Sequence, residues 1–322
     1  MTVLVTGAAG FIGSHLVDAL LAGGHRVVAT DNLSRGSLSR LAQAMASDRF
    51  RFVEAELAEP DAPLDEIERE GPFDMVWHLA ANSDIAAGIE SDAIDFRDTY
   101  MTTRTALRLC RSTGSRRFVF ASTSAVYGEC DEVLAETTGP LLPISNYGAT
   151  KLASEAAISV AAETFLDTVW ILRFPNVIGS RASHGIIYDL CRKLSRDRSE
   201  LPVLGDGSQK KPYLHVSDLI AAMLFITAQP GTDRRRLYNI GPEDDGIFIR
   251  DLVAELVAAT GGDTRVNFSG GDRGWIGDVP RFRYCVEKLR TLGWRPSMSS
   301  RESVRRAVRE VADEWAVSCS KS

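Results

Sequence analysis

The chain predicts an α/β protein: a doubly wound parallel sheet with a smaller, mainly helical C-terminal lobe. Three observations carry this. Short β-branched runs alternate with amphipathic stretches through the first half of the 322 residues. Those runs are almost continuously apolar, as strands covered on both faces are. After Asn176 the texture changes to longer loops carrying Gly and Pro, such as GDGSQKKPY (205–213).

VLVTG (3–7) predicts the first strand, and FIGSHLVDALLAGG a helix that stops at Gly23–Gly24. RVVATD (26–31), RFRFVEAEL (49–57) and FDMVWHLAA (73–81) follow as strands, and a long mixed stretch then runs to Arg111. RRFVFAST (116–123) and TVWILRFPN (168–176) are two more strands. Between them Ser145 is placed to cap a helix through Tyr147, Lys151 and Glu155 to about Phe165. Val216–Ala228 and Arg236–Ile240 predict a helix and a strand that return to the sheet. A helix rich in Arg and Glu closes the chain over 301–316. The expected division is 1–175, with 213–240 returning to it, as the sheet domain, and 176–212 with 241–322 as the second lobe.

Composition narrows the function. With 37 Lys+Arg against 43 Asp+Glu, the net charge of −6 gives no support for general nucleic-acid binding. No apolar run approaches the ~18–20 residues that span a bilayer. The opening MTVLVTG enters a strand at once, without the charged start of a secretory leader. Cys110, Cys130, Cys191, Cys285 and Cys319 are scattered and form no C-x-x-C pair, which argues against a disulfide framework or zinc site. The expected setting is the reducing cytoplasm.

Gly7, Gly10 and Gly13 lie between the first strand and the first helix. Glycines there permit a tight turn and let the backbone approach a pyrophosphate at the positive helix N-terminus. A bare G-x-x-G-x-x-G also occurs in ordinary packing turns, so context decides. Asp31 closes the second strand, where a carboxylate accepts from the adenosine ribose and repels a 2′-phosphate. A Rossmann-type domain binding NAD rather than NADP follows, with Arg35 as the one residue pulling the other way.

Tyr147 and Lys151 are four apart, hence on one helix face. A lone Tyr-x-x-x-Lys is commonly structural, but Ser122-Thr123-Ser124 ends the preceding strand, and strand carboxyl ends face the cofactor crevice. Positive charge from Lys151 and an oxidised nicotinamide is expected to lower the phenol from its usual ~10 and make it a general base. Thr123 would hydrogen-bond the reacting oxygen.

With these residues in place, the chain resembles the extended short-chain dehydrogenase/reductase superfamily, in its nucleotide-sugar branch of NAD-dependent epimerases and dehydratases. The resemblance covers nearly the whole chain, through GAAGFIG (7–13), Asp31-Asn32, HLAA (78–81), FASTSAVYG (120–128), SNYGATK (145–151), RFPNVIG (173–179), GDGSQKKPYLHVSD (205–218), YNIG (238–241) and LGWRP (292–296). It implies a UDP-sugar substrate, NAD as cofactor, and a homodimer through the Thr99–Arg111 and Ser145–Phe165 helices. It also implies cofactor contacts from Phe11, Ile12, Asn32, Glu56, Leu57, Leu79, Ala80, Ala81, Thr99, Ala121 and Phe174, beside the glycines, Asp31, Tyr147 and Lys151. Substrate contacts are implied from Ser83, Thr123, Ser124, Tyr147, Asn176, Lys211, Arg273 and Asp278. Some positions depart from the pattern. Glu56 stands for the usual Asp and Thr99 for a frequent Asn. Trp275 stands where an arginine would shorten the Arg273–Asp278 spacing, and Phe174-Pro175-Asn176 stands for Phe-Phe-Asn.

Within that branch, similar dehydratases read Thr-Asp-Glu where this chain has Thr123-Ser124-Ala125, because elimination needs an acid and a carboxylate beside the sugar. Decarboxylases keep a Glu at Ala125. What remains is oxidation and re-reduction at C4, a 4-epimerase. Both UDP-glucose/UDP-galactose and UDP-glucuronate/UDP-galacturonate fit, with Arg181 and His184 placed to meet a C6 carboxylate. The expectation tips to the hexuronate on a fainter similarity to epimerases of moenomycin-type antibiotic assembly, not on spacing. A dehydratase, a 4-keto reductase using NADPH, and a non-catalytic NAD sensor are the rival readings.

Overall fold

The computed structural model describes all residues except 60, 61, 63, 84, 131, 262, 272–278, 280, 281 and 320–322. Its chain divides into two compact units, Met1–Gly128 with Pro140–Phe174 and Met223–Tyr238, and Glu129–Gly139 with Pro175–Ala222 and Asn239–Ser322.

The first unit is built on a seven-stranded sheet of β1 (Thr2–Thr6), β2 (Arg26–Asp31), β3 (Phe50–Glu54), β4 (Met75–His78), β5 (Arg117–Thr123), β6 (Thr168–Phe174) and β7 (Arg235–Asn239). The spatial order is β7-β6-β5-β4-β1-β2-β3, and every pair from β6 to β3 is parallel. The order reverses between β1 and β4, which opens a crevice at their carboxyl ends. The strands are apolar because both faces are covered. Trp77, Phe118, Phe120 and Trp170 are almost wholly buried, and Leu4, Val28, Val76, Leu109 and Ile158 share one core. The helix Phe11–Ala22 follows β1, and Asn146–Thr164 lies between β5 and β6.

The strands are shorter than the sequence predicts. Residues 79–81 leave β4, and the pairing of β3 stops at Glu54. The stretch before Arg111 is helical from Asp92 to Thr113, with a π-helical turn at Phe96–Met101 that periodicity does not announce.

The second unit packs the helices Ile186–Arg196, Ile249–Thr260 and Ser300–Cys319 around Leu190, Leu201, Leu252, Val304 and Val308. Among its described residues it also holds four two-residue to four-residue strand pairs, such as Asn176–Ile178 with Tyr213–His215 and Glu200–Val203 with Arg265–Phe268. That pairing explains a difference in boundary. The sequence reading returns 213–240 to the sheet, but Tyr213–His215 bonds to Asn176–Ile178, and the return begins at Met223. Likewise Glu129–Gly139 joins the second unit, where Val133–Leu134 pairs with Arg283–Tyr284. Among the described residues no helix is long and apolar enough to cross a membrane.

Candidate active site

The glycine loop is built for close approach. Gly7 has φ +68°, and a Cβ there would stand 2.7 Å from Ala80 N, so the loop lies directly on the segment leaving β4. A Cβ at Gly13 would stand 2.1 Å from Gly7 O. Gly10 caps the first helix without a side-chain hydrogen bond, and no acidic residue sits in its first turn. The first-turn amides around Phe11 and Ile12 therefore point to a place that suits an anion. At the end of β2, Asp31 is 9% exposed and accepts from Ala9 N at 3.0 Å and Leu33 N at 2.8 Å. Burial raises its pKa, partly offset by those amides and by the charge of Arg40. Asn32 donates to Glu56 at 2.7 Å, and Glu56 also accepts from Ala58 N, beside buried Leu57. The structure thus brings the loop, Asp31, Asn32, Glu56 and Leu79–Ala81 to one end of the sheet. These residues fit an adenine dinucleotide: bare glycine amides for a pyrophosphate, and a carboxylate at the strand end for ribose hydroxyls. Arg40 escaped the sequence reading. It donates to Ala9 O at 3.1 Å and Arg35 O at 3.2 Å, bracing the loop, while Arg35 itself is exposed.

At the end of β5 the chain turns through Ser124–Tyr127, with Thr123 Oγ1 accepting from Ala125 N at 3.1 Å. Ser145 caps the helix Asn146–Thr164 as expected, its hydroxyl accepting from Gly148 N at 3.1 Å. A Cβ on Gly148 would stand 2.6 Å from Ala125 O, so only glycine lets this helix settle on the turn after β5. The Tyr147 ring is half-buried, with its hydroxyl end inward and the Thr123 side chain near enough to favour its ionisation. Lys151 is 3% exposed. Its ammonium donates to Ala121 O at 2.7 Å and lies 5.9 Å from the Tyr147 ring centre and 4.8 Å from that of Phe120.

The electrostatics qualify one expectation: in the protein alone Lys151 is not among the groups that lower the phenol. Burial pushes Tyr147 up to about 12, with Thr123 pulling it down and the Asp95 carboxylate adding to the rise. Burial also pushes Lys151 down to about 7, against the pull of Glu155 and Asp95. Both groups are starved of water, so each favours its neutral form.

Ser122 corrects another. Strand alternation turns it away from Thr123. It is buried, donating to Glu155 at 2.5 Å, and Arg173 from β6 grips the same carboxylate in bidentate fashion at 2.9 and 2.6 Å. Burial works against the Arg173 charge, and Glu155 outweighs it. The sequence reading missed this network, although Glu155 lies one turn beyond Lys151. It also missed a buried chain in which His78 bonds Thr6 at 2.7 Å and Thr103 at 3.1 Å, and Thr103 donates to Ser154. Burial pushes His78 down to about 3, with Lys151 adding to the effect, so it is a neutral strut.

Thr99 lies in the π turn, fully buried; its hydroxyl accepts from Asn82 N at 3.2 Å and its carbonyl from Thr102 and Thr103. It braces the wall rather than offering an open hydroxyl. Ala121 is buried at the strand end, while Ser83, Ser124 and Phe174 are half-buried.

In the second unit Lys211 is 7% exposed, on a two-residue strand paired with Ile247–Phe248, and Asn176 is exposed. Arg181 has φ +62°, a strained conformation for a non-glycine residue, and its amide donates to Glu314 at 2.8 Å. The next amide back, Ser180 N, donates to Glu310 at 3.0 Å, and Glu310 also takes His215 at 3.1 Å and Arg306 at 2.8 Å. His184 Nδ1 lies 3.2 Å from Ser183 Oγ. The sequence reading did not foresee that the last helix holds this loop. Arg273, Trp275 and Asp278 lie outside the described residues.

The profile of the NAD dependent epimerase/dehydratase family matches residues 3–241. UDP-glucose 4-epimerase of Mycolicibacterium smegmatis is 31% identical over 315 residues, covering 96% of this chain and 97% of that one. A crystal structure of a UDP-galactose 4-epimerase superposes with a TM-score of 0.85 at 32% identity, covering 98% and 99% of the two chains. A UDP-glucuronic acid 4-epimerase from Bacillus cereus, solved with UDP-glucuronic acid and NAD, superposes with a TM-score of 0.86 at 26% identity, covering 98% and 100%. A glycine loop ending on Asp31 and a buried Tyr147–Lys151 pair are thus found in a chain that belongs to the NAD-dependent epimerase/dehydratase family. Within it, this chain is an isomerase of the UDP-sugar 4-epimerase kind, and its cofactor is NAD.

Proposed function

We propose that the chain interconverts UDP-glucose and UDP-galactose through a 4-keto sugar, with Tyr147 as the acid–base group. One observation carries the reading: the Tyr147 hydroxyl lies by Thr123 and a turn from the buried Lys151, while Ser124 and Ala125 stand where dehydratases carry Asp and Glu. Among the described residues, the carboxylates that act on this pair are Asp95 and Glu155, at 0% and 6% exposure.

When bound, NAD supplies a hydride acceptor and a positive charge beside the phenol. Tyr147 then takes the O4 proton as the C4–H bond is oxidised, and Thr123 holds the oxygen. The planar 4-keto sugar turns over, and Tyr147 returns the proton to O4 on re-reduction from the other face. Lys151 fixes the end of β5 through Ala121 O and lends its charge to the developing phenolate. Net redox is zero. Lys211 is the cation proposed to meet the diphosphate, with Asn176 beside the sugar.

The neutral hexose is favoured by the names of the relatives at 31–32% identity and by charge. Glu310 and Glu314 already hold the amides of the 180–181 loop, so a C6 carboxylate brought there meets two others. The hexuronate is the second reading, supported by Arg181, His184 and the Bacillus cereus structure. Incubating the purified protein with UDP-glucose, UDP-N-acetylglucosamine and UDP-glucuronate, followed by sugar-nucleotide chromatography, separates them. UDP-galactose formed without added cofactor is expected. Turnover of UDP-glucuronate alone would transfer the activity to the hexuronate, and a 4-keto product or a need for NADPH would overturn the epimerase.

We further infer a homodimer, since the helical run 92–113 packs along Asn146–Thr164 and leaves Phe96 and Val160 at 53% and 64% exposure. Light scattering of Val160→Asp against wild type tests it, a monomeric variant being expected. The free cysteines, Cys110 and Cys191 among them, support a reducing compartment as its setting.

A further inference from the structure

We propose that Arg40 is a positioning residue for the cofactor: with Gly36 it latches the segment after β2 onto the glycine loop, and so fixes Asp31 in the place that selects NAD over NADP. The role rests on the reading of the glycine loop and Asp31 as dinucleotide contacts.

The Ala9 peptide is the joint of the latch. Its N–H donates to Asp31 Oδ2 at 3.0 Å, while its carbonyl accepts from Ser37 N at 3.0 Å and from Arg40 Nη1 at 3.1 Å. The same Nη1 donates to Arg35 O at 3.2 Å, so one guanidinium ties the glycine loop to the middle of the segment 32–40. Arg40 is placed for this by a single helical turn, Leu38–Leu41, capped by the Ser37 hydroxyl and anchored by the wholly buried Leu41. Hydrogen bonds from a charged donor are about twice as strong as neutral ones, which suits a guanidinium to the task.

Gly36 closes the latch from the other side. A Cβ there would stand 2.6 Å from Asp31 Oδ1 and 2.9 Å from Ala9 Cβ. The carboxylate has little room to yield, because Oδ1 already accepts from Leu33 N at 2.8 Å and Oδ2 from Ala9 N. Ala8 N donates to Thr30 O at 3.2 Å, joining the loop to β2 as well. The loop amides and the ribose acceptor are therefore presented as one preformed piece, and ordering completed on folding is not charged to binding. Loosening the latch has opposite consequences for the two cofactors. NAD loses an acceptor for its ribose hydroxyls, whereas NADP is relieved of a carboxylate that repels its 2′-phosphate.

Equilibrium dialysis of the purified protein against labelled NAD, with unlabelled NAD or NADP as competitor, tests the proposal. Thermal unfolding without added cofactor reads stability in parallel. Arg40→Ala is expected to weaken NAD about tenfold, the size of one lost charge-assisted bond, and to weaken NADP less, so that the preference for NAD narrows. An unmoved preference, with or without a lower melting temperature, would make Arg40 merely structural and overturn the proposal. NADP weakened more than NAD would make Arg40 a cation for the 2′-phosphate and overturn it equally. Gly36→Ala leaves Arg40 in place and crowds the carboxylate off its amides; it is expected to narrow the preference in the same direction. It carries the test should Arg40→Ala not fold, and an unmoved preference there contradicts the proposal. A wild type that binds neither dinucleotide would refute the reading of the site. A wild type that binds NAD, with its preference unmoved in both variants, refutes this inference alone.

Discussion

The two units bury charge for different ends. In the sheet unit, Lys151, Glu155, Arg173 and Asp95 are all under 7% exposed, beside the phenol proposed above as the acid–base group or in the network next to it. In the second unit, His215 and Glu310 form a buried-to-half-buried pair whose work is to hold a loop, Ser180–Arg181, by its backbone amides. Burial in the first case shifts the groups proposed to exchange a proton. In the second it strengthens a clamp on backbone that is already strained at Arg181. Perturbed ionisation alone therefore does not mark catalysis: Glu310 is also strongly shifted. The difference is what the shifted group touches.

That contrast can be broken most forcefully at Tyr147. Tyr147→Phe is expected to lower kcat by about 10²–10⁴, the range of a lost general acid–base, while NAD stays bound. A rate within a few-fold of wild type, followed by product chromatography, would end the distinction drawn between the units. Next is Glu155→Gln, which strips a buried guanidinium of its bidentate partner and is expected to cost about 3–5 kcal/mol in denaturant unfolding. A loss below about 1 kcal/mol would mean Arg173 finds water or another acceptor.

A smaller effect is expected at Asp31→Ala. It removes the two amide contacts to Ala9 and Leu33 with the ribose acceptor, and NAD retention should weaken by about ten- to a hundredfold, read by fluorescence titration. Smallest is Glu310→Gln, about 1–2 kcal/mol, confined to the second unit. Burial pushes Glu310 up, but His215, Arg306 and Ser180 N more than reverse this and bring it to about 2. Its folded value lies below the ordinary ~4.3, so its stabilisation is complete above that range and is lost as pH falls through about 2. Denaturant unfolding followed by circular dichroism should therefore show the stability gap between wild type and Glu310→Gln full at neutral pH, narrowing below about pH 4 and closed near pH 2.

The same contrast sorts what the sequence discloses. Where a signal is local it reads correctly: RVVATD is β2 to the residue, Val216–Ala228 is a helix with those bounds, and Ser145 caps the helix of Tyr147. The glycine loop, Asp31 and the Tyr147–Lys151 face are local signals too, and the fold gathers them at one end of the sheet. What stays hidden is long-range and polar. Ser122 meets Glu155 33 residues on, and Asp95, just before a π turn that no period of 3.6 predicts, meets Asn82 13 residues back. The burial of the phenol stayed hidden for the same reason: spacing shows that Lys151 shares a face with Tyr147, not that both are desolvated. In the second unit, strands of two to four residues carry too few side chains to show alternation, and so Lys210–Lys211 and Tyr213–His215 could be placed only as loop and sheet return.

The central claim is that hydrogen leaves C4 and comes back to C4 while the only proton exchanged with Tyr147 belongs to O4. Running the wild-type reaction to equilibrium in deuterium oxide and analysing the sugar nucleotides by mass spectrometry and proton resonance tests it most directly. The account predicts inverted C4 with no deuterium on any ring carbon. Deuterium at C5 or C6 would show that an acid–base pair works on those carbons, and would contradict it.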